Sequence, residues 1–484
     1  MEKARTRFAP SPTGYMHIGN LRTALYEYLV AKKDGGTFIL RIEDTDQGRI
    51  VEGAVDIIYN TMKTCGLHHD EGPDIGGEYG PYVQSERMQC GMYKEYAEKL
   101  VELGGAHYCF CDEAVLAKER EEAGEGFLYD DPCKYLSKEE IAAKIAAGEK
   151  YVIRQNIDPE GTTSFDDEVY GHIEVENSVL DEQILLKSDG FPTYNFANVI
   201  DDHLMKITHV VRGNEYLSST PKYNLIYDAF GWQKPTYVHL PPVMKDEHHK
   251  LSKRNGDASF QDLVAKGYLP AAIMNYIALL GWSPADNEEI FTLEELAEKF
   301  DVSRISKSPS IFDIEKLTWM NGMYIRNMDA EAWYELALPY MKNAIKSDVD
   351  LHAVAAILQQ RTDKLTDIEP NVDFIDELQE YDTALFVHKK MKTTEEIALK
   401  SLIHCKEMLE GLEEYNMETL HDGYIGLATK LEMKNGQIMW PARIAITGKD
   451  KTPGGAVEIS NILGKEETIR RITVGIEKLQ AKLG

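Results

Sequence analysis

Apolar positions change their period twice within the first fifty residues. Thr6–Ala9 reads as a short buried strand. Pro10, Ser11, Pro12, Thr13 and Gly14 can continue neither a strand nor a helix, because the prolines remove amide donors and the glycine frees the backbone. From Leu21 the apolar residues recur at Ala24, Leu25, Tyr28 and Leu29, the three-four spacing of a one-sided helix, and Asp34-Gly35-Gly36 stops it. Phe38, Ile39, Leu40 and Ile42 form a second apolar run that ends in Glu43-Asp44-Thr45-Asp46. Strand, tight loop, helix and strand predict the first unit of a doubly wound parallel α/β sheet. Beyond residue 325 the helical period takes over. "DAEAWYELALPYMKNAI" (329–345) and "TEEIALKSLIHCKEMLEGL" (394–412) both carry it, β-rich stretches are absent, and this part is predicted to be all α.

In a sheet of that kind, ligands sit where the loop meets the helix N-terminus, since free amides and the macrodipole point there at anions. His17, Gly19 and Asn20 stand at that terminus. Gly19 admits a phosphate or planar group close to the backbone, and His17 can donate to a phosphate oxygen. Taken alone, the stretch reads equally well as an ordinary βα loop with His17 on the surface. A second stretch, "KDEHHKLSKRNG" (245–256), is polar and lysine-dense, follows Pro241-Pro242 and contains the turn pair Asn255-Gly256. It reads as an exposed loop whose Lys250 and Lys253 are flexible point charges suited to a migrating polyphosphate. The competing reading is a solvated basic loop. The Walker pattern is absent, which excludes a P-loop enzyme.

Length and charge narrow the picture. A chain of 484 residues suggests about three domains. No run of 18 apolar residues exists, and MEKARTRF has no apolar core of a targeting peptide. The six cysteines lack disulfide-framework spacing, so the expected compartment is the reducing cytoplasm, with no membrane partner. A net charge of −28 argues against non-specific binding to a polyanion.

HIGN (17–20) and KLSKR (250–254) together resemble the two signature sequences of the class I aminoacyl-tRNA synthetases. "TRFAPSPTGYMHIGN" with "LRIEDTDQGR" (40–49) is similar specifically to the bacterial-type glutamyl enzymes of that class. "SDGFPTYNFANVIDDHLMKITHVVRGNEYLSSTP" (188–221), "GYLPAAIMNYIALLGWS" (267–283), "FDIEKLTWMNGMYI" (312–325) and "PARIAITG" (441–448) continue the likeness over nearly the whole chain. One departure is Asn20, which replaces the second histidine of the usual HIGH; asparagine can still donate to a phosphate.

The resemblance implies a Rossmann-type catalytic domain in two halves, 1–82 and 195–243, split by an acceptor-end-binding insertion over 83–194. A stem-contact domain carrying the KLSKR loop (244–325) and an all-α anticodon-binding region (326–484) would follow. It also implies activation of L-glutamate by ATP, with Mg²⁺, to glutamyl-adenylate, and transfer to the 3′ end of tRNA-Glu. Whether tRNA-Gln is charged as well is left open, and a monomer is expected. His17, Lys250 and Lys253 would act on the phosphates, within an ATP site of Pro12, Gly14, Gly19, Asn20, Leu251, Ser252 and Arg254. Arg7 and Arg212 match the family's clamp on the substrate side-chain carboxylate, with Tyr194 adding a hydroxyl. Glu43 would take the ammonium, helped by Ser11 and Asn198. Such a clamp favours glutamate over glutamine.

Cys109, Cys111 and Cys133 with Tyr129 match a zinc site that some family members carry. Tyr135 competes for the fourth place, and three buried free thiols are the alternative. Arg361 falls near the family's anticodon-reading arginine, or else makes a buried salt bridge. From 440 to 484, eight Lys/Arg stand against five Asp/Glu, and the clusters at 3–7 and 250–254 are basic too, so local patches can grasp a folded RNA despite the acidic whole. A small-molecule nucleotidyltransferase of the superfamily would have little use for the helical half, and a non-catalytic paralogue would be expected to lose His17 or Lys253.

Overall fold

The structure, a computed structural model, describes residues 3–112, 121, 132–249, 251 and 259–484. Tyr129, Lys250, Ser252, Lys253 and Arg254 lie outside the described residues. The chain forms two compact units, Met1–Leu263 with Ile273–Asp313, and Val264–Ala272 with Ile314–Gly484.

In the first unit, β1 (Arg5–Phe8) and β2 (Thr37–Leu40) pair in parallel, Arg5 opposite Thr37 and Phe8 opposite Leu40. Helix α1 (Ile18–Lys33) makes the crossover and buries Leu21, Ala24, Leu25 and Leu29, as the spacing predicts. It also buries Arg22, Tyr26 and Glu27, so the covered face is broader than one stripe. Gly36 is required where β2 begins: a Cβ there would sit 1.9 Å from the Ala4 carbonyl oxygen, which accepts from Thr37 N at 2.9 Å.

The sheet continues from β1 to β8 (His209–Gly213) through the bond from Thr208 N to Arg5 O, 2.9 Å, and β8 runs parallel to β9 (Thr236–Leu240). On the far side of β9 lies β5 (Thr162–Asp167), which meets β9 in parallel at Asp167 and Tyr237 and carries β6 (Gly171–Glu176) as an antiparallel hairpin. A hairpin from within 83–194 therefore extends the main sheet. A separate antiparallel sheet, β3 (Ala106–Cys109), β4 (Val152–Gln155) and β7 (Ile184–Leu186), stands beside it in the sequence.

The second unit is built from helices, and among its described residues there is no strand. Two predicted helices appear at Ala330–Ala344 and Glu395–Glu410, with Asp329 and Thr394 accepting from first-turn amides as N-caps. Trp333, Leu358, Phe386, Leu402 and Ile472 lie in one buried cluster. Among the described residues, no helix is long and apolar enough to cross a membrane.

Candidate active site

His17 is the N-cap of α1, with extended backbone, and its Nδ1 accepts from Gly19 N at 3.0 Å. The proton therefore resides on Nε2, which donates to the Leu251 carbonyl at 2.9 Å. His17 also bridges to Ser259. These bonds bring the segment after β9 against the loop before α1, on the rim of a cavity of about 730 Å³.

Pro12, His17, Gly19, Asn20 and Leu251 line this cavity, and so do Arg7, Ser11, Glu43, Tyr194 and Arg212. Gly14 and Asn198 do not line it. The Asn198 amide donates to Tyr194 O at 2.7 Å within its own helix, Tyr194–Leu204. Tyr216, whose ring lies 5.4 Å from that of Tyr194, is part of the wall.

Arg7 and Glu43 belong to a buried charge network. Arg7 donates from Nε to Asp202 and from Nη1 to Glu27, each at 2.9 Å, and Arg41 donates to Asp202 and to Glu43 Oε1, each at 2.8 Å. Burial favours a neutral Asp202, but the charges of Arg7 and Arg41 and their hydrogen bonds outweigh it and hold the carboxyl below its ordinary range. Burial instead dominates at Glu43 and lifts it above that range, with Arg41 and Arg7 offsetting part of the effect. Arg7 thus reaches the cavity with two protein carboxylates already engaged.

Arg212 is different. It is 5% exposed, yet among the described residues no carboxylate lies within 4.0 Å of it. Its Nε donates to His239 Nε2 at 3.0 Å and its Nη2 to Thr220 Oγ1 at 2.8 Å. The rings of Tyr216, Tyr223 and Tyr237 surround it at 5.3, 4.8 and 5.5 Å. A buried cation held by neutral acceptors beside an open cavity is suited to an incoming anion.

Sequence reading missed Arg41, Asp202, Glu27 and His239. Arg41 and Asp202 sat inside the quoted stretches 40–49 and 188–221, whereas nothing local marked His239.

The Sγ atoms of Cys109, Cys111 and Cys133 all lie within 4.8 Å of one another, with Cys111 and Cys133 3.6 Å apart. Phe110 N–H donates to Cys133 Sγ at 3.3 Å. Zinc bound tetrahedrally at about 2.3 Å from sulfur needs thiolates about 3.8 Å apart, so these three fit. Tyr135 is 82% exposed. Arg361 is exposed, lines a shallow pocket with Arg443 and Gly455, and pairs with no described carboxylate, so the buried salt bridge is not formed.

Residues 3–319 match the family described as tRNA synthetases class I (E and Q), catalytic domain, and residues 332–476 match the family described as anticodon binding domain. The fold and cavity are accordingly those of a class I tRNA synthetase. The glutamate–tRNA ligase of Clostridium tetani (strain Massachusetts / E88) is 60% identical over 484 residues, covering 99% of each chain. That of Lachnoclostridium phytofermentans is 57% identical over 490 residues, covering 100% of each. A crystal structure of a glutamate tRNA ligase from Elizabethkingia meningosepticum, in complex with its amino acid, superposes with a TM-score of 0.89 at 35% identity, covering 99% of this chain and 100% of that one. The chain belongs to the glutamate–tRNA ligase family.

Proposed function

We propose that this one cavity carries out both steps of glutamate–tRNA ligation. In the first, the α-carboxylate of L-glutamate attacks the α-phosphorus of ATP and pyrophosphate leaves. In the second, a terminal hydroxyl of tRNA-Glu attacks the acyl carbon and AMP leaves. No protein nucleophile is needed; the work is alignment and stabilisation of charge on the phosphates. At the α1 N-terminus Asn20 would donate to the triphosphate and Gly19, without a side chain, would let it approach, and Lys250 and Lys253 would follow the leaving pyrophosphate. Mg²⁺ would arrive with ATP, held mainly by the phosphates.

Arg212 would meet the substrate side-chain carboxylate and Glu43 the ammonium, since Arg41 engages Glu43 through Oε1 and leaves Oε2 with no described donor. The observation that carries this reading is the buried Arg212, with no counter-charge among the described residues, in the same cavity as the His17–Leu251 contact. Cys109, Cys111 and Cys133 would hold a structural zinc, and Arg361 would face the anticodon.

Pyrophosphate exchange with glutamate and with glutamine, with and without tRNA-Glu and tRNA-Gln, tests the assignment. Exchange specific for glutamate and dependent on tRNA-Glu is expected; exchange with glutamine alone would move the chain to the glutaminyl branch. Charging of tRNA-Gln in the same assay decides the tRNA range.

A further inference from the structure

Asp167 and His239 lie behind Arg212, away from the cavity, and both are buried. Asp167 closes β5 where it meets β9. Its Oδ1 accepts from Val169 N at 3.0 Å and Tyr170 N at 2.8 Å, and its Oδ2 accepts from His239 N at 3.1 Å and His239 Nδ1 at 2.6 Å. All four partners are nitrogens that donate, so both oxygens are committed as acceptors and Nδ1 of His239 carries the proton. Nε2 is then a lone pair, and it faces Arg212 Nε, which has only a proton to offer, at 3.0 Å. Thr220 Oγ1, 3.3 Å from Nε2, sends its own proton to Tyr216 O and receives Arg212 Nη2. One edge of the guanidinium is thereby fixed, and Nη1 has no described partner.

We propose that Asp167 and His239 are positioning residues for glutamate binding, which hold the Arg212 guanidinium toward the cavity by fixing the imidazole tautomer that accepts from it. This rests on the reading that Arg212 meets the substrate carboxylate. The chemistry explains why the acceptor is an imidazole. A carboxylate at the His239 position would orient Arg212 equally well but would cancel its charge and compete with the substrate. A neutral ring orients the guanidinium and leaves its charge for the ligand. The opposite tautomer would set N–H against N–H and release Arg212.

Asp167→Asn inverts the pattern. The two backbone donors at Oδ1 draw the amide oxygen to that side, so the NH₂ faces His239 and drives its proton to Nε2. Glutamate KM is expected to rise about tenfold or more, while kcat and the KM for ATP stay within about twofold, because ground-state binding of one substrate is lost. His239→Gln, which keeps a neutral acceptor, should raise glutamate KM less than His239→Leu. An unchanged glutamate KM in Asp167→Asn, or a parallel rise in the KM for ATP, would overturn the assignment. Should that variant not fold, nitrogen-15 NMR of the histidines in the unaltered protein decides it: His239 protonated on Nδ1 is expected, and protonation on Nε2 overturns it. Arg212→Ala separates the two levels. If it leaves glutamate KM unchanged, the reading of the cavity fails. If it raises that KM while Asp167→Asn does not, only the positioning role fails.

Discussion

His17 and Leu251, 234 positions apart, are joined by a 2.9 Å hydrogen bond from the imidazole Nε2 to the leucine carbonyl. The same ring caps α1 through Nδ1. One side chain thus closes a helix terminus and tethers a loop, and the two functions can be separated by substitution.

His17→Ala is expected to slow adenylate formation about 10²-fold or more, because the Leu251 segment loses its tether to the α1 N-terminus and the phosphate-facing groups lose their alignment. It should also cost about 1 kcal/mol of stability through the lost cap. His17→Asn can restore the cap but not the tether, so its melting temperature should recover while its rate does not. Lys253→Ala should slow pyrophosphate exchange by a factor similar to His17→Ala. Near-normal turnover in either alanine variant would remove that residue from the mechanism.

Arg41, itself fully buried, neutralises Asp202 and Glu43. Arg41→Met leaves two carboxylates under-compensated, and removing one partner of a buried pair typically costs about 3–5 kcal/mol. Urea denaturation should record a loss of that order. A change below about 1 kcal/mol would mean that Arg7 alone satisfies Asp202.

His203 stacks on Trp232 at 3.7 Å with the rings 2° from parallel. Burial, and secondarily Lys206, lower its pKa from 6.5 to about 4. The unfolded chain therefore takes up this proton first as pH falls. The contribution to stability is whole above about pH 6.5 and drains away between there and about pH 4. An NMR titration should place the His203 midpoint near 4; a midpoint at an ordinary histidine value would contradict the burial argument.

The three clustered thiols predict about one zinc per chain by atomic emission. Cys111→Ser should lower that content, since the hydroxyl is a poorer ligand for this metal. Purified protein with no zinc above background after growth in zinc-supplemented medium would leave them as free cysteines.

Binding of tRNA should weaken steeply as salt rises, because in a chain of net charge −28 it depends on local basic patches. A dissociation constant that stays flat from low to physiological salt would rule out the patch account.

The strand–loop–helix–strand start and the helical second half were readable because their signals are local. Prolines and glycines punctuate within a few residues, and Leu21, Ala24, Leu25 and Leu29 mark a buried face by spacing alone. Composition likewise marked the basic loop, whereas the cysteine set was legible through the family resemblance. Asn198 shows the limit: the family resemblance named it, but only the folded chain shows its amide donating to Tyr194 O one helical turn back.

What the sequence determined by itself was the order of elements and the chemical types available to the site. What tertiary structure alone decided was which of those groups meet, and in what protonation state. Asp167 and His239 are 72 residues apart, and His239 and Arg212 are 27 apart; they touch because β5, β9 and β8 lie side by side in that order. Strand order arises from packing across the whole unit, and no short-range pattern encodes it. Arg7 and Arg212 look alike as residues, yet the folded chain surrounds one with carboxylates and leaves the other facing an open cavity with neutral acceptors at its back.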